Sequence, residues 1–367
     1  MKVYYTNLNT VRFIAASFVV IHHIEQFKFL DNLPNHFLNS FVLLMGKLGV
    51  DIFFVLSGFL ITSLLVEEKQ EYQNIAVGKF YVRRILRIWP LYFLLILLAY
   101  FIIPHIPEFK IHAWDISPKS FWPSLLLMIF FLPNVQSTIF NFIPYSAQLW
   151  SIGVEEQFYL CWPLVVKRTK NTAQLKRTLI IILIGYIALK IIIKILSNHL
   201  PQPGVITTID FFLTDRFQVD CLLIGGLFSI FNKEEKTKRL LTSKTFQIIV
   251  YVATLFLMLS RLRFDNFFWT IYAVLFACII INLVNYKSSL INLEYPPLNY
   301  LGKISYGIYM FHPVIIVCTI RFITHNSILV YLVSFILTIL ISALSYEYFE
   351  RFFLSRKRRF AMTESGK

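Results

Sequence analysis

Charge is scarce in this sequence: Asp, Glu, Lys and Arg together make up 15% of its 367 residues, where an ordinary soluble domain carries about 25%. That deficit excludes a soluble enzyme. Acidic residues are the scarcer sign, 20 against 35 Lys and Arg, so the formal net charge is +15. Cysteine is nearly absent. The four present, Cys161, Cys221, Cys278 and Cys318, lie in apolar segments without paired or metal-ligand spacing, so neither a disulfide framework nor a zinc or other metal site is expected. They read as small core residues. Internal repeats, low-complexity tracts and polar stretches long enough for a soluble domain are also missing; the longest connection, 105–149, contains an apolar piece of its own.

What is abundant is apolar: 57% of residues are hydrophobic, with 37 Phe, 19 Tyr and 6 Trp. Hydrophobic stretches of about 18 residues or more recur along the chain, the length that spans hydrocarbon as helix. The strands of a membrane β-barrel alternate apolar and polar residues and do not produce such runs. The expected fold is an all-α polytopic integral membrane bundle of about ten transmembrane helices, at 9–28, 44–66, 88–104, 150–166, 178–197, 214–231, 245–262, 267–285, 304–323 and 328–349. An eleventh piece, Ser120 to Leu132, is bracketed by Pro118, Pro123 and Pro133 and is too short to cross, so it is expected to be re-entrant or interfacial. One transmembrane domain then covers 1–350, followed by a basic tail, 351–367.

With ten crossings, one side collects the basic residues of the N-terminus, of 67–87, 167–177, 232–244 and 286–303, and of the tail (Arg351, Arg356, Lys357, Arg358, Arg359, Lys367). Only Lys28, Lys110, Lys119, Arg261, Arg263 and Arg321 fall on the other. The positive-inside rule makes the rich side cytoplasmic, with both termini there. The +15 is thus a topology signal first, an attraction for anionic lipid or a polyphosphate second, and no sign of nucleic acid. The first apolar segment carries His22, His23 and Glu25 and has no small-residue cleavage site after it, so it is expected to stay in the fold.

Ionisable side chains are costly at mid-bilayer and mark functional sites by default. Arg12 lies near the inner end of the first span and His23 eleven residues on, about 16 Å along a helix axis. The second span carries Lys47 and Asp51 in its outer half, then Ser57-Gly58, a pair that also suits close helix packing. The fourth begins Trp150-Ser151 and brings in Glu155 and Glu156. Three helices thus place His23, Asp51 and Glu155 at one depth, which implies a wet cavity. Arg216 and Asp220 on the sixth span, at i and i+4, have the spacing of a buried ion pair. The ninth adds Ser305, Tyr306 and His312; His22, and His312 taken alone, read as packing residues. On the cytoplasmic side Arg84 and Arg87, at i and i+3, share a helix face suited to gripping a phosphate or pyrophosphate.

Taken in order, these motifs resemble the membrane-bound acyltransferase 3 family, bacterial O-acyltransferases that modify cell-surface glycans. The resemblance rests on Arg12 to His23, on Gly49-Val50-Asp51-Ile52-Phe53-Phe54-Val55-Leu56-Ser57-Gly58-Phe59-Leu60-Ile61-Thr62, and on the Arg83–Pro90 run ending at Tyr92. It continues through Trp150-Ser151-Ile152-Gly153-Val154-Glu155, Arg216 to Gly225, and Gly302-Lys303-Ile304-Ser305-Tyr306-Gly307-Ile308-Tyr309 with His312-Pro313. It covers nearly the whole chain. Ile152 replaces the Leu usual after Trp-Ser, and the fused extracytoplasmic hydrolase-like domain of some members is absent from these 367 residues, so a separate extracytoplasmic partner is one route for the acyl group.

The resemblance implies an O-acetyltransferase of the bacterial cytoplasmic (inner) membrane. Its donor is cytoplasmic acetyl-CoA or another acyl-CoA, and its acceptor a hydroxyl of a glycan or lipid-linked saccharide such as O-antigen (lipopolysaccharide), capsule, exopolysaccharide or peptidoglycan. On that reading Arg84 and Arg87 hold the donor nucleotide and Arg12 lines the path of its pantetheine arm. His23 is the general base or acyl carrier, Asp51 or Glu155 orients it, and Ser57, Ser151 or backbone N–H groups near Gly58 steady the oxyanion. Arg216, Asp220, Ser305, Tyr306 and His312 are further motif residues without an assigned step. The competing expectation is a transporter or flippase, because charges inside a helical bundle also mark transport pathways.

Overall fold

The computed structural model describes residues 2–3, 5–111, 117–140, 143–199, 204–260, 268–357, 360 and 364–365. Arg261, Arg263, Arg358, Arg359 and Lys367, used above to weigh the two sides, lie outside the described residues, and the side chain of Lys357 does too. In chain order the helices are α1 (Leu8–Leu30), α2 (Ser40–Tyr72), α3 (Val77–Leu97), α4 (Pro118–Ile129), α5 (Pro133–Ile139), α6 (Leu149–Arg168), α7 (Thr172–Asn198) and α8 (Val205–Phe211). They continue with α9 (Val219–Phe231), α10 (Glu235–Leu241), α11 (Lys244–Leu259), α12 (Phe268–Val284), α13 (Pro296–Lys303), α14 (Ser305–Cys318), α15 (Ser327–Leu344) and α16 (Arg351–Lys357). Extended backbone pairs only at Lys2–Val3 with Glu364–Ser365, among the described residues. That pairing puts both chain ends on one face of the bundle, here called the terminal face.

Among the described residues, six helices are long and apolar enough to cross a bilayer: α1, α2, α3 with its continuation to His105, α7, α14 with its continuation to Ile323, and α15 with its continuation to Arg356. A seventh is added if α10 and α11, bent by 57° at a short break, form one span. Each of the ten expected segments contains one of these helices within its described residues, yet α6, α9 and α12 do not meet the length and composition of a span alone. Helix α9 has 13 residues, about 20 Å of rise, and α12 has 17, while α6 carries Glu155, Glu156, Lys167 and Arg168. The proline-bracketed piece is α4, 12 residues held against α3 by Tyr92 donating to the Met128 carbonyl (2.7 Å) and by the Tyr100–Ser124 hydroxyl pair (2.8 Å). Helix α15 runs without a break through a π-helical turn into α16, so the tail starts as part of that helix.

The bundle is built around α2. Of its spanning stretch 78% is buried, against 17% for α7 and 22% for α15, which turn residues such as Ile181, Ile184 and Ile336 outward as a lipid-facing rim does. Helix α9 is apolar all round, and every residue from Asp220 to Ile230 is buried. It lies so close to α2 that a Cβ on Gly58 would sit 1.9 Å from the Leu222 carbonyl oxygen, and one on Gly225 would sit 2.1 Å from that of Val55. Small residues at helix crossings let backbones approach in this way. The start of α1 is pinned by Asn7, whose amide donates to the Leu283 carbonyl (2.7 Å) and accepts from the Leu293 N–H (2.7 Å).

The Gly225 contact leaves no room for a side chain. Gly225→Val is expected to destabilise the detergent-purified protein by about 1–3 kcal/mol or more, read as a drop in its thermal unfolding midpoint, while Gly185→Ala, at a position with open space around it, leaves that midpoint unchanged or raised.

Candidate active site

The arginines gather toward the terminal face. Arg12 on α1 donates to Asn9 (2.8 Å) and lies within electrostatic reach of Arg84 and Arg87 on α3. Arg84 rests on the rings of Phe80 (5.4 Å) and Tyr159 (5.2 Å), and its Nε is buried without a partner. Arg87 makes no hydrogen bond among the described residues and faces the carboxylates of Glu155 and Glu350. Their neighbour Arg83 is spoken for, by Glu68 (3.4 Å) and the Phe360 carbonyl (2.8 Å). Three mutually repelling guanidinium groups are thus held together with donors to spare, an arrangement that a polyanion stabilises. The structure brings Arg12, Arg84 and Arg87 into one another's electrostatic reach.

Above them, hydroxyls and carboxylates bridge the helices. Ser57 on α2 donates to Glu155 on α6 (2.5 Å), and Trp89 on α3 donates to Glu156 (3.1 Å). Tyr306 on α14 donates to the Ile88 carbonyl of α3 (2.9 Å), with Ser305 buried beside it. One turn further along α14, Tyr309 donates to the Gln148 carbonyl (2.9 Å) and shares a hydrogen bond with Ser151 (2.7 Å).

At the face opposite the chain ends lies a cavity of about 820 Å³ whose lining includes His22, His23, Lys47, Gln148, Trp150 and Arg216. It is bounded by the ends of helices: the start of α2, the start of α6, the segment before α9, and the end of α11 with the start of α12. Lys47 pairs with Asp215 and lies over Trp269 (4.6 Å), and Arg216 stacks on Trp150 (5.3 Å) and Phe211 (5.1 Å). His23 sits where the cavity meets the core. Its Nδ1 is 2.9 Å from the Val19 carbonyl and 3.2 Å from Nε2 of His312 on α14.

Two expected groupings are rearranged. His23 bonds neither to Asp51 nor to Glu155: Glu155 turns to Ser57, and Asp51, fully buried, faces α9, where its Oδ1 lies 4.0 Å from the Cys221 thiol. The expected Arg216–Asp220 pair does not form. A π-helical turn ends at Arg216 and the backbone breaks at Phe217 before α9 begins, so the two are not one turn apart on a continuous helix. Asp220 instead pairs with Lys190 on α7 (3.2 Å), with both side chains buried, and accepts from Thr270 (2.7 Å). Lys190 was missed, though a lysine inside the apolar run 178–197 was its signal; Tyr309 and Gln148 offered no comparable one.

Removing one partner of a buried ion pair strands the other, at a cost of about 3–5 kcal/mol. Lys190→Met is therefore expected to lower the thermal midpoint sharply, and the double variant Lys190→Met with Asp220→Leu to recover most of it, both measured on detergent-purified protein.

Comparison with known proteins places the chain in a family. Residues 5–347 match the family model Acyl_transf_3, described as an acyltransferase domain. The chain is 29% identical over 377 residues to O-acetyltransferase OatA of Staphylococcus aureus (strain NCTC 8325 / PS 47), covering 95% of this chain and 57% of that protein. It is 29% identical over 323 residues to the putative peptidoglycan O-acetyltransferase YrhL of Bacillus subtilis (strain 168), covering 83% and 50%. It is 27% identical over 319 residues to peptidoglycan O-acetyltransferase OatA of Listeria monocytogenes serovar 1/2a, covering 83% and 51%. The chain spans about half the length of these curated relatives, and no solved structure matches it. With a family model matching all but the ends of the sequence, the chain belongs to the acyltransferase 3 family.

Proposed function

We propose that the protein is a membrane O-acyltransferase that takes an acyl group, acetyl in the first instance, from acyl-CoA at the terminal face and delivers it to a glycan hydroxyl at the opposite face. The family match and the relatives' names support the reaction class, and those names favour a peptidoglycan acceptor over O-antigen. The terminal face is the cytoplasmic face in this reading, because the basic connections lie there, and all ten apolar helical segments cross the bacterial cytoplasmic membrane.

The observation that carries the proposal is the placement of His23, whose ring lines the cavity while its Nδ1 lies 2.9 Å from the Val19 carbonyl. A carbonyl oxygen accepts and never donates, so the contact with Val19 puts the proton on Nδ1; Nε2 is then a lone pair on a ring that lines the cavity. A hydroxyl entering the cavity loses its proton to that Nε2 as its oxygen bonds to the acyl carbon. The carbon–sulfur bond breaks, and the departing thiolate recovers the proton from His23. Arg84 and Arg87 hold the donor phosphates and Arg12 lines the way in. Ser57 and Ser151 can serve the developing oxyanion only by turning their protons away from Glu155 and from Gln148 or Tyr309. Glu155 acts through Ser57, and Asp51 takes no part in the proton transfer.

Acyl-CoA turnover by the detergent-purified protein tests this, with acetyl- and succinyl-CoA as donors. His23→Ala is expected to lower release of coenzyme A by about 100-fold or more at unchanged thermal stability. Arg84→Ala with Arg87→Ala is expected to raise the donor KM by about tenfold or more, since each charge-assisted hydrogen bond lost is worth about 1.5–3 kcal/mol. A folded wild-type protein that neither binds nor consumes the thioester refutes the enzyme reading and favours transport of a lipid-linked sugar.

A further inference from the structure

A second histidine remains unused by the chemistry above. His312 is completely buried and does not line the cavity, so an acceptor cannot touch it. Its ring centroid lies 4.8 Å from that of His23, its Nε2 lies 3.2 Å from His23 Nδ1, and its own Nδ1 lies 3.2 Å from the Ile308 carbonyl one turn back along α14. Because carbonyls only accept, the proton of His312 belongs on Nδ1 and its Nε2 carries a lone pair. A single assignment then satisfies every contact. His312 Nδ1–H donates to Ile308, and His23 Nδ1–H donates both to Val19 and to His312 Nε2. His23 Nε2 stays unprotonated.

The sequence prepares this arrangement. The residue after His312 is Pro313, which has no N–H to offer the Tyr309 carbonyl, so backbone acceptor capacity is left beside the His312 ring. Helix α14 also packs directly on α1, which keeps the two rings together without any loop between them.

We infer that His312 is a positioning residue for His23: a neutral imidazole that fixes the tautomer and direction of the base, the task a carboxylate performs in hydrolytic triads. The inference rests on His23 acting as the base. Its consequence is chemical. When Nε2 of His23 takes the acceptor's hydroxyl proton, the ring becomes positive and its Nδ1–H still points at the His312 lone pair; when the thiolate takes that proton, His23 returns to neutral. His312 itself gains and loses nothing. A neutral partner holds the imidazole without adding charge to the membrane interior, where a lone carboxylate is costly.

The test compares wild type, His312→Leu and His312→Gln as full-length detergent-purified proteins. Gln keeps an oxygen that can accept from His23, and Leu does not. For acetyl-CoA turnover, His312→Leu is expected to fall about 10–100-fold, by analogy with the loss when the hydrogen-bond partner of a metal-ligating histidine is removed, with donor KM little changed and with Gln restoring most of the rate. Independently of turnover, the rate of His23 modification by diethyl pyrocarbonate, followed by mass spectrometry, is expected to change in the Leu variant and return toward wild type in the Gln variant. An equal modification rate in all three proteins overturns the pairing, and so does an equal loss of turnover in Leu and Gln. A modification rate that follows the expected pattern in a wild type without acyl transfer keeps the pairing and refutes the acyltransferase reading instead.

Discussion

No water is available inside hydrocarbon, so polar side chains carried there are driven to partners within the bundle, several of them on another helix, and those pairs shape its packing. Lys190 reaches α9 because Asp220 is there. Ser57 draws α2 to α6 through Glu155, and Trp89 draws α3 to the same helix through Glu156. Apolar surface gives no preference between one neighbour and another when lipid is equally apolar; the polar pairs and the close glycine contacts supply it.

Helix α14 shows how far this goes. Tyr306, Tyr309 and His312 stand three residues apart, each about 4.5 Å further along the axis than the last. Because three residues fall short of a full turn, successive members point to successive neighbours: α3 through Ile88, α6 through Gln148 and Ser151, and α1 through His23. One helix therefore sets the spacing of the elements that carry the arginines, the carboxylates and the base.

Depth along a helix is legible in a sequence, and direction around its axis is much less so. Counting residues from the ends of apolar runs placed Arg12 on one half of the bundle and His23 on the other, and the i, i+3 spacing of Arg84 and Arg87 placed both toward one site. The same counting set Asp51 level with His23 but carried no information that Asp51 faces α9, because the Gly58–Gly225 crossing that turns it there belongs to a contact between distant segments. Arg216 and Asp220 failed for a local reason: the i, i+4 rule presumes a continuous helix, and the break at Phe217 is not announced by Gly or Pro. His312 was passed over because an isolated histidine on an apolar helix has no visible partner until two segments 289 residues apart are brought together.

The distance between the arginines and the base gives the fold the character of a ruler. Arg12 and His23 share one helix, so about 16 Å separates them however the rest of the bundle breathes. On the function proposed above, a donor gripped by its phosphates near Arg12 has to present its acyl carbon that far away, which suits a molecule with a long flexible arm between anchor and thioester. On that same reading a compact donor such as an acyl phosphate stops short of the histidine. Selection between donors is then a matter of reach as much as of chemical reactivity.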